Sequence, residues 1–279
     1  MALQHSDYLV TPKPCSNPKL RLVCFPHSGA GPSAYTPWAD LLDEHRIEVV
    51  AISTPGRERR VDAAPLTDWE VLLSEICDAL DTSGLVDDVP YAFFGHSLGA
   101  AVACETARRL HARLQQGRPL PVHVFVSAHP APALRLLPGV DTNAKMYEMG
   151  DADLIQALEK YGLLTSDTLQ DDGLLQAVMP ALRADLKLFE TYAPDVNRKP
   201  LPIGLTAMGG KADVTVPENC LQRWKEETVE ASIDMKLFQG GHFFIDESRE
   251  EVVASVRACL NNTMASMPLA LEGDKTLLP

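Results

Sequence analysis

The sequence predicts an α/β domain built on a mostly parallel, doubly wound sheet. Three observations carry that expectation. Apolar runs at 21–25, 48–52, 91–94, 123–127, 203–208 and 235–238 alternate with segments of helical period. The runs are apolar nearly throughout rather than at every second residue, as strands covered on both faces require. With 279 residues, 46% of them hydrophobic, the chain can bury a full core as one large domain.

The elements follow in order. Residues 1–18 contain three prolines and no period, and a flexible terminus is expected there, with the folded domain spanning 19–262. The run 21–25 leads through Pro26-His27-Ser28-Gly29-Ala30-Gly31-Pro32 into a helical pattern at 34–44. A second strand at 48–52 precedes a helical pattern at 67–81, and a third at 91–94 runs straight into one at 98–115. After the strand at 123–127, residues 141–200 hold two further helical patterns, 152–161 and 172–192, too much for a single crossover helix. Their surplus of leucines predicts an inserted helical lid over the carboxyl end of the sheet. Strands at 203–208 and 235–238 alternate with helices at 217–227 and 248–260, and 263–279 reads as a flexible tail.

Chemistry is carried first by Gly95-His96-Ser97-Leu98-Gly99, placed between a strand and a helix. A serine on so tight a turn is strained, its neighbours two residues away must be small, and the following helix aims its N-terminal amides at the turn. A serine hydroxyl needs a base oriented by a carboxylate. On the α/β-hydrolase fold those partners follow in the order serine, acid, histidine. His242 follows Gly240-Gly241 after the last strand, and Asp213 lies in the loop leaving the strand at 203–208. Ser97, Asp213 and His242 are therefore the expected catalytic residues, gathered at the carboxyl ends of strands. Asp234 and Asp246 are rival acids. Asp234 opens a strand at its wrong end, and Asp246 reads as the N-cap of the final helix. His27 is placed to line the site, His96 to pack beside it; His5, His45, His111, His123 and His129 read as surface or packing residues.

Acyl transfer also needs amides aimed at the developing oxyanion. The backbone N–H of Leu98 is one candidate, and Ser28 in the glycine-rich loop supplies the second, with Gly29 as the alternative. Cys15, Cys24, Cys77, Cys104, Cys220 and Cys259 are scattered without metal-ligand spacing, so no metal or other cofactor is expected, and a reducing, cytoplasmic setting is. No run approaches the roughly 20 apolar residues of a membrane span. A net charge of −13 argues against nucleic acid and anionic membranes as partners. Arg57, Arg59 and Arg60, and likewise Arg108, Arg109 and Arg113, form local basic groups that read either as docking patches or as solvated surface.

Taken together, these motifs resemble the type II thioesterases, free-standing α/β-hydrolases of polyketide and nonribosomal peptide biosynthesis. The resemblance runs from Leu20 to Leu260 and rests on Cys24-Phe25-Pro26-His27-Ser28-Gly29-Ala30-Gly31, Pro55-Gly56-Arg57-Glu58, the serine motif, Pro180-Ala181-Leu182-Arg183-Ala184-Asp185, Gly209-Gly210-Lys211-Ala212-Asp213 and Gly240-Gly241-His242-Phe243-Phe244. It implies hydrolysis of acyl thioesters held on the phosphopantetheine arm of an acyl or peptidyl carrier protein, for editing or product release, beneath a mobile lid. A monomer is expected. A carboxylesterase or lipase on the same fold is the competing enzyme, and a carrier-binding protein without activity the competing non-enzyme. Ser28 departs from the pattern, which more often has alanine or glycine there.

Overall fold

Strands that are apolar on both faces are stable only between two helical layers, and this arrangement is found. The computed structural model describes residues 7–113, 119–134, 145–165, 168, 170–195, 197–229 and 233–266. The strands are β1 (Leu9–Val10), β2 (Leu20–Phe25), β3 (Ile47–Ile52), β4 (Tyr91–His96), β5 (His123–Ser127), β6 (Gly204–Gly210) and β7 (Asp234–Phe238). They form a sheet in the order β1-β3-β2-β4-β5-β6-β7. All neighbours run parallel except β1, which pairs antiparallel with β3 through Leu9 opposite Ile52.

Alternate residues of one strand serve different layers. On β2, Leu20, Leu22 and Cys24 face α1 (Thr36–Asp43) and the last helix, α8 (Arg249–Ser266). Val23 and Phe25 belong to the opposite layer, which also holds α2 (Trp69–Ser83), α3 (Leu98–Ala112) and, against β6, the short α6 (Glu218–Gln222). Because β3 lies on one side of β2 and β4 on the other, the connections leaving β2 and β4 diverge. They open a crevice at their carboxyl ends, where ligands bind in sheets of this kind.

Two helices stand apart from those layers. α4 (Asp151–Lys160) and α5 (Asp172–Thr191) pack on each other through Met146, Leu154, Leu158, Leu164, Met179, Leu182 and Leu186, a cluster separate from the two that clothe the sheet. Both carry the expected helical periods; residues 141–144, 166–167, 169 and 196 of the anticipated insertion lie outside the described residues. Pro180 sits inside α5. The α5 start is capped by Asp171, whose carboxylate accepts the Leu174 amide at 3.0 Å.

Three expectations are corrected. Within 1–18, Tyr8 and Leu9 are buried and β1 extends the sheet; the ring of Tyr8 lies 4.1 Å beneath the Arg60 guanidinium. A two-residue strand has no period for a sequence to display. Residues 263–266 continue α8 rather than joining a tail, and 1–6 and 267–279 lie outside the described residues. Asp246 lies within α7 (Phe244–Glu247), a separate turn of helix, and so does not cap α8. Among the described residues no helix is long and apolar enough to cross a membrane.

Candidate active site

The turn at Ser97 is built from two glycines and one strained residue. A Cβ on Gly95 would lie 2.2 Å from the Gly99 carbonyl oxygen, and one on Gly99 would lie 2.1 Å from that of Phe25. Only hydrogen fits at either place, so strand β4 and helix α3 meet at backbone distance. Ser97 itself has φ 53° and ψ −125°, a conformation that costs an L residue about 1–3 kcal/mol. The turn is tied down by the Ser97 amide, which donates to the Ser127 carbonyl at 2.8 Å. His96 is fully buried and shares a 2.8 Å hydrogen bond with the Ser127 hydroxyl, so it packs as its position suggested.

β6 and β7 deliver the other two groups. His242 Nε2 lies 3.1 Å from Ser97 Oγ, and its Nδ1 lies 2.9 Å from Asp213 Oδ2. Asp213 and His242 are 7% and 5% exposed, so their contact is shielded from water. The second oxygen of Asp213 accepts the amides of Thr215 and Val216 at 2.8 and 3.1 Å and the Thr215 hydroxyl at 2.7 Å. Burial is the largest influence on this carboxyl and pushes its pKa up. The hydrogen bond and charge of His242 and the Thr215 donors outweigh it, and the net shift is downward. The three residues expected to converge do so at the crevice.

The loop after β2 forms the opposite wall. The Ala30 amide closes a turn by donating to the His27 carbonyl at 3.1 Å, and Gly29 takes φ +77° within it. The Gly29 amide donates to Asp185 Oδ2 on α5 at 2.8 Å. Of the two loop amides considered for an oxyanion site, those of Ser28 and Gly29, that of Gly29 is therefore engaged. Arg57 clamps the same place, donating to the Ala30 carbonyl at 3.0 Å and to both Asp185 oxygens at 2.7 and 3.0 Å.

Between these walls and the two cap helices lies a pocket of about 500 Å³ including its mouth. Its polar end consists of His27, Ser28, Ser97 and His242; Met146, Leu158, Leu163, Leu182, Leu186 and Phe189 line the rest. His27 stands edge-on to Phe243, ring centroids 5.0 Å apart. Burial, helped by the nearby His242 and Arg57 charges, lowers its pKa to about 3. Burial also lowers His129 to about 4, against an opposing hydrogen bond to the Pro130 carbonyl. Both rings are thus neutral near pH 7. Such a site, with a hydroxyl, an imidazole, a carboxylate and free helix-start amides before an apolar chamber, is equipped for acyl transfer.

Most arginines of the two basic groups are engaged within the fold, while Arg59 is exposed. Arg57 is buried against Asp185, and Arg108 pairs with the buried Glu227, as does Arg198 at 2.6 Å. Arg109 pairs with Glu70, and Arg113 reaches Asp78 and Asp81 at 3.3 and 2.9 Å. Thr215 and the partnership of Arg57 with Asp185 escaped the sequence reading. One signal was available: Asp185 falls between Leu182 and Leu186 on an apolar helix face, where a lone carboxylate implies a buried cation.

The thioesterase domain family model matches residues 20–260. The gramicidin S biosynthesis protein GrsT of Aneurinibacillus migulanus is 32% identical over 250 residues, spanning 90% of this chain and 92% of that protein. Thioesterase PikA5 of Streptomyces venezuelae is 31% identical over 239 residues, 86% of this chain and 80% of its own. Among solved structures, the type II thioesterase BorB from the borrelidin biosynthetic cluster superposes with a TM-score of 0.80 at 28% identity, over 92% of this chain and 99% of that one. RedJ, a thioesterase from the prodiginine pathway in Streptomyces coelicolor, gives 0.77 at 32% identity over 89% of each chain.

Proposed function

We propose that this chain, which belongs to the thioesterase domain family and is a type II thioesterase, hydrolyses acyl groups from the phosphopantetheine arm of acyl or peptidyl carrier proteins. One observation carries the chemical reading: a single imidazole spans the Ser97 hydroxyl and the Asp213 carboxylate, at 3.1 and 2.9 Å. With Nδ1–H donated to Asp213, Nε2 is left unprotonated and accepts the proton of Ser97. Ser97 Oγ attacks the thioester carbonyl, and the amides of Leu98 and Ser28 receive the oxyanion. His242 then hands its proton to the departing pantetheine sulfur. A water molecule, deprotonated by the same imidazole, releases the acid and restores Ser97. Asp213 holds the ring in the required tautomer and stabilises its cation.

The folded domain reaches beyond the expected 19–262, from β1 to the end of α8, and the lid is assigned to 141–200, whose described helices roof the pocket. The apolar lining suits the hydrocarbon part of an acyl group, and the polar end suits its carbonyl. All six cysteines are free, which supports a reducing, cytoplasmic setting, and a monomer acting on carrier proteins is the proposed form.

Intact-mass measurement of an acyl-loaded carrier protein, before and after addition of the enzyme, tests the proposal. Loss of the acyl mass is expected, and Ser97→Ala should slow it by ~10⁴-fold or more. Faster turnover of a nitrophenyl ester than of the carrier-bound thioester would overturn the substrate assignment. A Ser97→Ala variant of near-normal rate would overturn the nucleophile.

A further inference from the structure

Helix α5 does two things with neighbouring side chains on one face. Leu182 and Leu186 line the pocket, while Asp185 between them reaches under the loop that follows β2. A trans peptide points its C=O and N–H in opposite directions. The His27 carbonyl accepts from Ala30 inside the turn, so the Ser28 N–H on that same peptide is turned outward. That orientation lasts only while the turn keeps its form. Gly29, at φ +77°, has the conformation a type II turn needs at its third residue. Its N–H is fixed by Asp185, and the carbonyl of Ala30, the last residue of the turn, is fixed by Arg57. Arg57 and Asp185 are each 7% exposed, and their side chains meet through two parallel hydrogen bonds, the strongest and most directional form of this pair.

From this geometry we infer that Asp185 is a positioning residue of the oxyanion site: by holding the middle peptide of the 27–30 turn, it keeps the Ser28 amide aimed at the reacting carbonyl. The cap helix then belongs to the catalytic apparatus as well as to the cover. The inference rests on the assignment of Ser97 as nucleophile and of Ser28 as donor. It is separable from a merely structural ion pair because the two Asp185 oxygens carry different loads. Oδ2 takes both Gly29 N–H and Arg57 Nη1, whereas Oδ1 takes Arg57 Nη2 alone. Asparagine with its oxygen in the Oδ2 place keeps the Gly29 bond and loses the charge. Alanine loses both.

Asp185→Ala, Asp185→Asn and Ser97→Ala are to be compared on an acyl N-acetylcysteamine thioester, well below the melting point of each. Binding of a non-hydrolysable thioether analogue and of a trifluoromethyl ketone, which forms an oxyanion adduct on the serine, is measured in parallel. In Asp185→Ala, kcat should fall roughly 10–100-fold, with KM and thioether affinity within about threefold. Ketone affinity should fall by the same factor as kcat. Asp185→Asn should recover most of that loss while melting as low as the alanine variant. If the stranded Arg57 prevents Asp185→Ala from folding, Asp185→Ala combined with Arg57→Met carries the same expectation. Asparagine no better than alanine, alanine keeping more than half of kcat, or thioether affinity falling along with kcat would each overturn the positioning role. An active Ser97→Ala instead removes the nucleophile assignment on which it rests, and an inactive one beside a fully active Asp185→Ala removes the positioning role alone.

Discussion

At the rim of the sheet, Ser97, His242 and Asp213 are placed by backbone. Gly95 and Gly99 leave no room for a side chain, and a Cβ on Gly210 would lie 2.1 Å from the Gly241 carbonyl oxygen. Above them, α4 and α5 are held to each other by seven buried apolar side chains. The distal half of α5 has that packing and its Asp171 cap, whereas the proximal half is also bonded down. Asp185 grips Arg57 and Gly29, Trp69 Nε1 donates to the Leu188 carbonyl at 2.7 Å, and the Tyr192 hydroxyl donates to Glu105 at 2.5 Å. Backbone constraint fixes where atoms react; side-chain packing fixes what fits. The two regions should therefore answer differently to substitution.

The sharpest contrast is in rate. His242→Ala should cost ~10⁴-fold in kcat with the fold intact, measured by turnover and melting temperature together; a loss below tenfold would dissolve the distinction between rim and cap. Second comes Gly99→Ala. Its new methyl meets backbone rather than a movable side chain, so urea unfolding should show about 3 kcal/mol or more of lost stability. A shift under 1 kcal/mol would mean that the rim yields as easily as the cap.

Third, acid should loosen the sheet, at the rim around His27, His96 and His129 and at the opposite end of β5, where His123 lies. Burial lowers the pKa of His96 well below its usual value, that of His27 to about 3, and those of His123 and His129 to about 4. The unfolded chain takes up protons on these rings near the ordinary value of about 6.5, whereas the folded protein resists. Their contribution to stability is complete above pH 6.5 and drains away as pH falls toward 4, by up to about 1.4 kcal/mol per pH unit for each ring. Urea midpoints between pH 7 and 5 should decline accordingly, and His123→Asn should make the slope shallower by one proton. No histidine occurs between residues 141 and 200, so the cap meets this sensitivity only where His129 packs edge-on against Phe189 and Tyr192. The smallest expected effect is Leu163→Trp, which fills the chamber. It should shift the ratio of kcat/KM for long over short acyl thioesters by roughly tenfold toward the short ones; an unchanged ratio would place the acyl chain elsewhere.

What could be read from the sequence divides along the same line. Parallel strands buried on both faces are nearly uninterrupted apolar runs, so β2 to β6 were visible; β7, an edge strand of alternating exposure, showed through Met235, Leu237 and Phe238, and order along the chain singled out Asp213 and His242. β1 was not, because Leu9–Val10 is too short to show alternation. The helix pattern at 217–227 was visible too, but not that it tightens into a 3-10 form from Arg223 onward. Arg57 and Asp185 stand 128 residues apart, and no local pattern joins them. A two-pronged ion pair exists only in three dimensions, which is why a charged residue in the 55–60 loop could pass for surface.

The backbone angles of Ser97 carry a cost that outlives any single turnover. A glycine at 97 would relax the turn, so Ser97→Gly should be inert yet melt higher than the parent. Natural selection for mere persistence would favour that exchange, and only selection for chemistry opposes it. A relative with glycine at this position would be a retired enzyme, and its greater durability would be the sign of its retirement.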